Sequence, residues 1–196
     1  MQSYVPVIMP EIDLPKEASL YSSCSLCTPK ARVIWGEGNP MAQIMVVLDN
    51  PGAREDSAGK EYICGTRQTL QEAIFKAGLQ LENIFLTYLL KCRPLHKYNK
   101  DEVRAFSRPF LVSQIEQMKP ELLVLLGDVV VQVMFENKET SVKKERGRWH
   151  KLLGTRCAVS YHPLAVRRRP NLMPSFLEDL EMAASALTNL RQSKGM

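Results

Sequence analysis

The sequence predicts a single α/β domain with a central four-stranded parallel sheet and helices on both faces. Four short apolar runs alternate with segments of helical periodicity, as in consecutive βαβ units. The runs are apolar at nearly every position, which is typical of parallel strands buried on both faces. A chain of 196 residues is long enough for one full core and too short to argue for two domains.

Each element can be placed in chain order. The strands are predicted over residues 44–48, 84–90, 121–126 and 156–160. The helices are predicted over 69–77, 101–119, 127–135 and 174–191, the second of them kinked or restarted at Pro109. Residues 21–42 and 136–149 lack a period and are interpreted as irregular segments. Residues 1–20 contain three prolines, so we expect an extended arm followed by a domain over 21–191.

The composition is that of an ordinary globular protein. Hydrophobic residues make up 45% and charged residues 24% of the chain. The longest apolar runs are far shorter than the roughly 20 residues that a membrane span needs, and no secretory signal is visible. We therefore expect a cytoplasmic monomer that does not contact membranes. Five cysteines without an export signal do not suggest a disulfide framework.

The net charge of +5 is modest, but the basic residues are clustered. Arg167, Arg168 and Arg169 are consecutive, and a second basic run spans residues 143–148. Both clusters fall in segments interpreted as loops, where side chains can reach a phosphate backbone. A solvated basic face explains the same pattern, so charge alone leaves the choice open.

Unusual residues follow the first and the last predicted strand. Asp49-Asn50-Pro51-Gly52 comes after the first strand, and His162-Pro163 comes after the last. In parallel sheets, ligands bind in the loops beyond the carboxyl ends of the strands. An Asn-Pro-Gly sequence is also a good turn, and a histidine before proline is often only a turn residue. These residues alone predict an α/β protein that could bind an anion.

Two cysteines near the start form a C-x-x-C. Cys24 and Cys27 have the spacing with which two thiolates chelate one metal or cluster, but two further ligands are needed.

Taken together, these segments resemble the family-4 uracil-DNA glycosylases, the iron–sulfur type. The resemblance covers residues 21–190 and rests on the shared order and spacing of several motifs. The matching stretches are residues 24–27, 48–52, 55–56, 59–64, 87–94 and 160–163. The resemblance implies a base-excision enzyme with DNA as its partner.

The resemblance also implies roles for individual residues. Asn50 would orient the attacking water, and His162 would stabilise the departing base as negative charge develops on it. Tyr62 would stack on the base after it leaves the helix stack, while Asp49 and Gly52 would shape the pocket.

The loop after His162-Pro163 would hold the DNA. Leu164 would wedge into the base stack, and Arg167, Arg168 and Arg169 would clamp the phosphates.

The chain departs from the family pattern around the base. Asp49-Asn50 replaces a glutamate and a small residue, which brings the loop closer to the Asn-Pro-Gly of the mismatch-specific and single-strand-selective glycosylases. Tyr88 occupies the position of the asparagine that reads the uracil edge, and a phenol lacks the donor–acceptor pair of an amide. Cys64 and Arg67 replace two glycines of the pocket loop and should narrow or reshape it.

The chain also departs from the family at the cluster. The resemblance implies a 4Fe–4S cluster on Cys24, Cys27 and Cys92, but Ser107 stands where the fourth cysteine is expected. A serine oxygen, Cys157, Cys64 or an outside ligand would complete the site, or the cluster is labile or absent.

We hypothesise a monofunctional DNA glycosylase that removes uracil or a related deaminated base in base excision repair. The alternative is a DNA-binding protein that keeps the glycosylase fold but has lost excision, which the tyrosine and serine replacements motivate. A small iron–sulfur electron carrier would leave the Asn-Pro-Gly loop and the arginine loop unexplained.

Overall fold

In the computed structural model, which describes residues 4–21, 23–27, 31–53 and 64–194, six strands form one mixed sheet. They are β1 (Glu37–Gly38), β2 (Ile44–Leu48), β3 (Ile84–Tyr88), β4 (Leu122–Leu126), β5 (His150–Leu152) and β6 (Thr155–Ser160). Their order across the sheet is β1-β3-β2-β4-β6-β5. The four central strands run parallel, whereas β1 and β5 pair antiparallel at the two edges.

The prediction of a four-stranded parallel sheet is therefore wrong in strand number and in strand direction at the edges. The four predicted strands form the parallel centre. The strand β1 is only two residues long and contains a glycine, so it has no apolar run to reveal it. The strand β5 is short and only partly buried, and it lies directly after the segment 136–149 interpreted as irregular. Its turn to β6 uses positive φ angles at Leu153 and Gly154.

The helices of the described residues fill the intervals between the strands. They are α1 (Ala18–Tyr21), α2 (Gly65–Lys76), α3 (Lys100–Met118), α4 (Asp128–Met134), α5 (Val142–Glu145), α6 (Pro163–Arg168) and α7 (Met173–Lys194). The helix α3 continues across Pro109 and does not restart there. Within the described ranges, no helix is long and apolar enough to cross a membrane.

Each central strand contributes to two cores because successive side chains point to opposite faces of the sheet. In β2, Ile44, Val46 and Leu48 belong to one core, and Met45 and Val47 belong to the other. The first core is covered by α2, α6 and α7, and the second by α3 and α4. The prediction of helices on both faces is confirmed.

Residues before the domain pair with the edge strand. The Gly38 N–H donates to the Pro10 carbonyl over 2.8 Å, and Glu11 forms a β-bridge with Glu37. Met9 is buried in the first core. The arm thus covers the open side of β1.

Candidate active site

A cavity of about 320 Å³ opens at the carboxyl ends of the central strands. Six of the residues predicted for the site line it together: Asp49, Asn50, Gly52, Tyr88, His162 and Leu164. The two loops singled out by the sequence therefore meet, because β2 and β6 end at the same edge of the sheet on either side of β4. Tyr62 and the 55–56 motif lie outside the described residues.

The two loops are joined by a contact between Asp49 and His162. Nε2 of His162 lies 3.2 Å from Oδ1 of Asp49. The backbone N–H of Leu164 donates to Nδ1 of the same ring over 3.1 Å, as His162 caps the start of α6. Because Nδ1 accepts this hydrogen bond, the ring proton sits on Nε2 and is donated to Asp49. The imidazole is therefore held as a donor that points into the pocket.

Asp49 provides the carboxylate of the site. Its burial raises the pKa, but the hydrogen bond from His162 and that from the Asn50 backbone N–H outweigh burial, so the pKa lies below its ordinary value. The Asn50 N–H lies 2.8 Å from Oδ1. Asp49 is thus an ionised group beside a hydrogen-bond donor.

The side chain of Asn50 is fixed by its own loop. Its amide nitrogen donates to the Pro51 carbonyl over 2.8 Å. This contact fixes which end of the amide is the acceptor, and Oδ1 is the atom that can accept a hydrogen bond from a water.

The lack of a side chain at Gly127 leaves room for His162, a role that was not predicted from the sequence. Gly127 follows β4 with a φ of 96° and a ψ of 154°, a conformation that side chains strongly disfavour. A Cβ at this residue would lie 3.0 Å from Cβ of His162. The available signal was a glycine at the junction of a predicted strand and a predicted helix.

The strand that carries His162 is anchored by a buried aspartate. Asp179 on α7 accepts hydrogen bonds from the Ser160 hydroxyl over 2.5 Å, from Nε of Arg146 over 3.0 Å and from the Gly147 N–H over 3.2 Å. Burial raises the pKa of Asp179 despite these donors. Arg146 also lies 6.0 Å from the centre of the Tyr161 ring. This residue of the second basic run therefore supports the histidine loop.

The inner wall of the pocket is a network of Glu37, Arg67 and Tyr88. Their exposed fractions are 0%, 4% and 1%, so the network is buried. Nη2 of Arg67 lies 2.9 Å from Oε1 of Glu37 and 2.6 Å from the Tyr88 hydroxyl, which lies 2.5 Å from the same carboxylate oxygen. The sequence reasoning identified Arg67 only as a replaced glycine and missed Glu37, which lies in a segment interpreted as irregular.

The arginine loop lies at the rim. Arg167 and Arg168 form the last turn of α6, Arg169 follows it, and all three are exposed. A Cβ at Gly65 would lie 2.5 Å from Cζ of Arg167, so this guanidinium lies across the first turn of α2. Leu164, in the first turn of α6, is half-buried and lines the pocket.

The cysteines predicted as cluster ligands are arranged differently. Cys27 and Cys92 are joined in a disulfide, and Cys24 is a buried cysteine outside that disulfide. The Ser107 hydroxyl lies 2.7 Å from the Tyr21 hydroxyl, which also accepts a hydrogen bond from the Lys91 N–H over 2.9 Å.

The remaining candidate ligands lie elsewhere. Cys157 is on β6, where burial raises its pKa to about 12, and Cys64 lines the pocket. Over the described ranges, no three His, Cys, Asp or Glu side chains are grouped to hold a metal. These residues do not fit the donor set of a 4Fe–4S cluster.

Comparisons with known proteins agree with this architecture. The family model of the uracil DNA glycosylase superfamily matches residues 35–183. The chain is 31% identical over 183 residues to the type-4 uracil-DNA glycosylase of Pyrobaculum aerophilum, which covers 87% of this chain and 93% of the relative. It is 31% identical to the Thermotoga maritima type-4 enzyme, over 84% of this chain and 88% of the relative. It is also 31% identical to the Saccharolobus solfataricus type-4 enzyme, over 92% of this chain and 88% of the relative. The chain therefore belongs to the uracil DNA glycosylase superfamily.

Proposed function

We propose that the protein is a DNA glycosylase that hydrolyses the N-glycosidic bond of uracil or a related deaminated base during base excision repair. The observation that carries the proposal is the pairing of Asp49 with His162 across the mouth of one pocket, in a chain of this superfamily. A carboxylate and a neutral donor placed on facing loops match the two charges that develop when the bond breaks.

His162 would act on the departing base. Its ring proton is on Nε2 because Nδ1 accepts a hydrogen bond from the Leu164 N–H. A base oxygen that enters the pocket competes with Asp49 for this proton. As the base leaves, negative charge grows on that oxygen and the hydrogen bond strengthens, so the transition state gains more than the ground state.

Asp49 and Asn50 would act on the sugar side. The ionised carboxylate of Asp49 stabilises the positive charge that develops on the sugar, and it can accept a proton from the attacking water. The amide oxygen of Asn50 would hold that water. In the overall reaction, hydroxide from water is added to C1′ and the remaining proton goes to the released base.

The loop after His162 would hold the DNA. Leu164 is proposed as the wedge that fills the gap left by the flipped base, with Arg167, Arg168 and Arg169 on the phosphates. Their shared position beside the pocket mouth supports this proposal. A stacking role for Tyr62, a monomeric state and a cytoplasmic location stay predictions.

A panel of uracil-, hypoxanthine- and xanthine-containing oligonucleotides, incubated with protein and then cleaved with alkali, tests the activity. We expect Asn50→Ala and His162→Ala each to lower the rate by ~10²-fold or more, as removal of one oxyanion donor does elsewhere. His96→Ala is the matched control, because His96 is exposed and is not among the residues that line the pocket. The absence of strand scission on every substrate at enzyme excess would refute the proposal.

A DNA-binding protein without excision is the second candidate. It is favoured by the Tyr88 hydroxyl, which is engaged with Glu37 and Arg67 at the position where the resemblance implies a base-reading asparagine. Binding to DNA that weakens with salt, together with no base release, would establish it.

A further inference from the structure

We infer that Arg67 recognises the carbonyl group by which a deaminated base differs from its parent base, so that the pocket selects uracil over cytosine and hypoxanthine over adenine by one rule. This inference rests on the proposed function and names the chemical feature that its pocket reads. It is argued from the polarity of the buried network on the inner wall.

The direction of each hydrogen bond in that network is forced. A carboxylate only accepts and a guanidinium only donates. The Tyr88 hydroxyl, which touches both Glu37 and Arg67, must therefore donate to the first and accept from the second. Among these three groups the hydrogen bonds therefore have one direction each, with the phenol as donor to Glu37 and acceptor from Arg67.

The network also fixes the guanidinium in place. Arg67 projects from the first turn of α2, while Glu37 comes from the edge strand β1 and Tyr88 from the end of β3. Three separate elements thus hold one cation. A donor that is already oriented needs no reorganisation when a ligand arrives.

The charge of Glu37 explains how a cation can remain at this depth. An isolated buried ion is strongly disfavoured, whereas a paired and hydrogen-bonded one is tolerated. The Arg67–Glu37 pair, at 2.9 Å, supplies that compensation inside the wall. Arg67 and Tyr88 line the cavity, and Glu37 does not. Of the two partners of the ion pair, it is therefore the donor residue that belongs to the pocket lining, and the acceptor is not part of that lining.

The polarity of this wall matches one kind of base edge. A guanidinium carries five N–H donors and no acceptor, so whatever it presents to the pocket is a donor. Deamination replaces an exocyclic amino group by a carbonyl, turning cytosine into uracil and adenine into hypoxanthine. A carbonyl accepts from the wall, whereas an amino group would place donor against donor. An amide side chain would recognise a carbonyl and a ring N–H together, whereas a wall that only donates selects for the carbonyl alone.

The test measures binding, so that it does not depend on bond cleavage. Four duplexes carry uracil, cytosine, hypoxanthine or adenine on a 2′-fluoroarabino sugar, whose glycosidic bond resists hydrolysis, opposite an abasic analogue that removes base pairing. Fluorescence anisotropy gives the Kd of each. We expect the carbonyl member of each pair to bind about tenfold more tightly or better, as for other well-oriented arginine–base contacts.

Substitutions then test whether Arg67 causes the preference for carbonyl bases. In Arg67→Ala the preference should fall to within about twofold. The double variant Arg67→Ala, Glu37→Gln also removes the buried negative charge that has lost its arginine, and serves if the single variant does not fold by circular dichroism. Arg168→Ala is the matched arginine control at the exposed rim, and it should weaken all four complexes by the same factor.

The outcomes separate this inference from the proposed function. Equal binding of carbonyl and amino bases by the unmodified protein overturns the inference, and so does a preference that survives in both Arg67 variants. Release of uracil from a cleavable duplex would leave the proposed function standing in either case. A preference that depends on Arg67, combined with no release of any base, would uphold the inference and overturn the enzymatic proposal.

Discussion

The substitution Gly127→Ala should separate the effect of backbone strain from the effect of moving His162, the proposed donor to the departing base. An alanine at φ 96° and ψ 154° occupies a region used almost only by glycine, at a cost of about 1–3 kcal/mol. Its Cβ would also lie 3.0 Å from Cβ of His162, about 0.4 Å inside the 3.4 Å at which ordinary contacts begin. If His162 gives way by that amount, its 3.2 Å contact with Asp49 stretches to as much as about 3.6 Å, beyond a hydrogen bond.

The expected effect on rate follows from this displacement. A misplacement of 1 Å can lower a rate by roughly 10²-fold, so a few tenths of an ångström should lower kcat by roughly threefold to tenfold. Base release from a uracil duplex in single-turnover conditions measures the rate. Urea unfolding measures the loss of stability, which should be at least about 1 kcal/mol.

Gly154→Ala is the matched control. Gly154 also has a positive φ, of 81°, but a Cβ there meets no atom within 4 Å. It lies in the turn between β5 and β6, so we expect a loss of stability with an unchanged rate. If Gly127→Ala also reacts at an unchanged rate while the protein is folded, the link between this glycine and His162 is refuted.

Three further predictions concern charge and the cysteines. Because hydrogen bonds hold the pKa of Asp49 below its ordinary value, its carboxylate adds stability at neutral pH that is lost as pH falls through the folded-state pKa. The free energy of unfolding of Asp49→Asn should therefore lie below that of the unmodified protein at neutral pH, and the difference should shrink as pH falls below the ordinary aspartate pKa of about 4; a constant difference would contradict this. Asp179→Ala should cost about 2 kcal/mol or more in urea unfolding, because it removes the buried carboxylate that accepts hydrogen bonds from the Ser160 hydroxyl, Arg146 and the Gly147 N–H. Asp101→Ala, which breaks an exposed pair with Lys138, should lower the free energy of unfolding far less, and equal losses would argue against the buried anchor. Anaerobically purified protein should contain no stoichiometric iron or sulfide, and about four of each per chain would show that the thiols rearrange to hold a cluster.

The central fold could be predicted because it depends on apolar runs. The runs that became β2, β3, β4 and β6 are buried at nearly every position, which is the property that periodicity detects. The edge strands could not be found in this way. Glu37–Gly38 becomes a strand because its backbone pairs with β3 and with the arm. The side chains of these two residues give no indication of either pairing.

The site could be predicted as far as it lies on single loops. Asp49, Asn50 and His162 follow strands and belong to motifs, so their meeting at one edge was expected. The network behind them depends on three segments far apart in the chain. The pairing of Glu37 with Arg67 is a product of tertiary packing, and no local pattern indicates that a glutamate in a turn-rich segment becomes fully buried.

The pairing of the arm with β1 has a consequence for where the functional unit begins. Glu37 lies between Glu11, which bridges to it, and β3, whose last residue is Tyr88. A chain shortened to start at residue 21 would open one side of this strand to solvent and to pairing with other molecules. It would also loosen the carboxylate that steadies Arg67. Residues 9–12 thus support the inner wall of the pocket from behind, although none of them lines it.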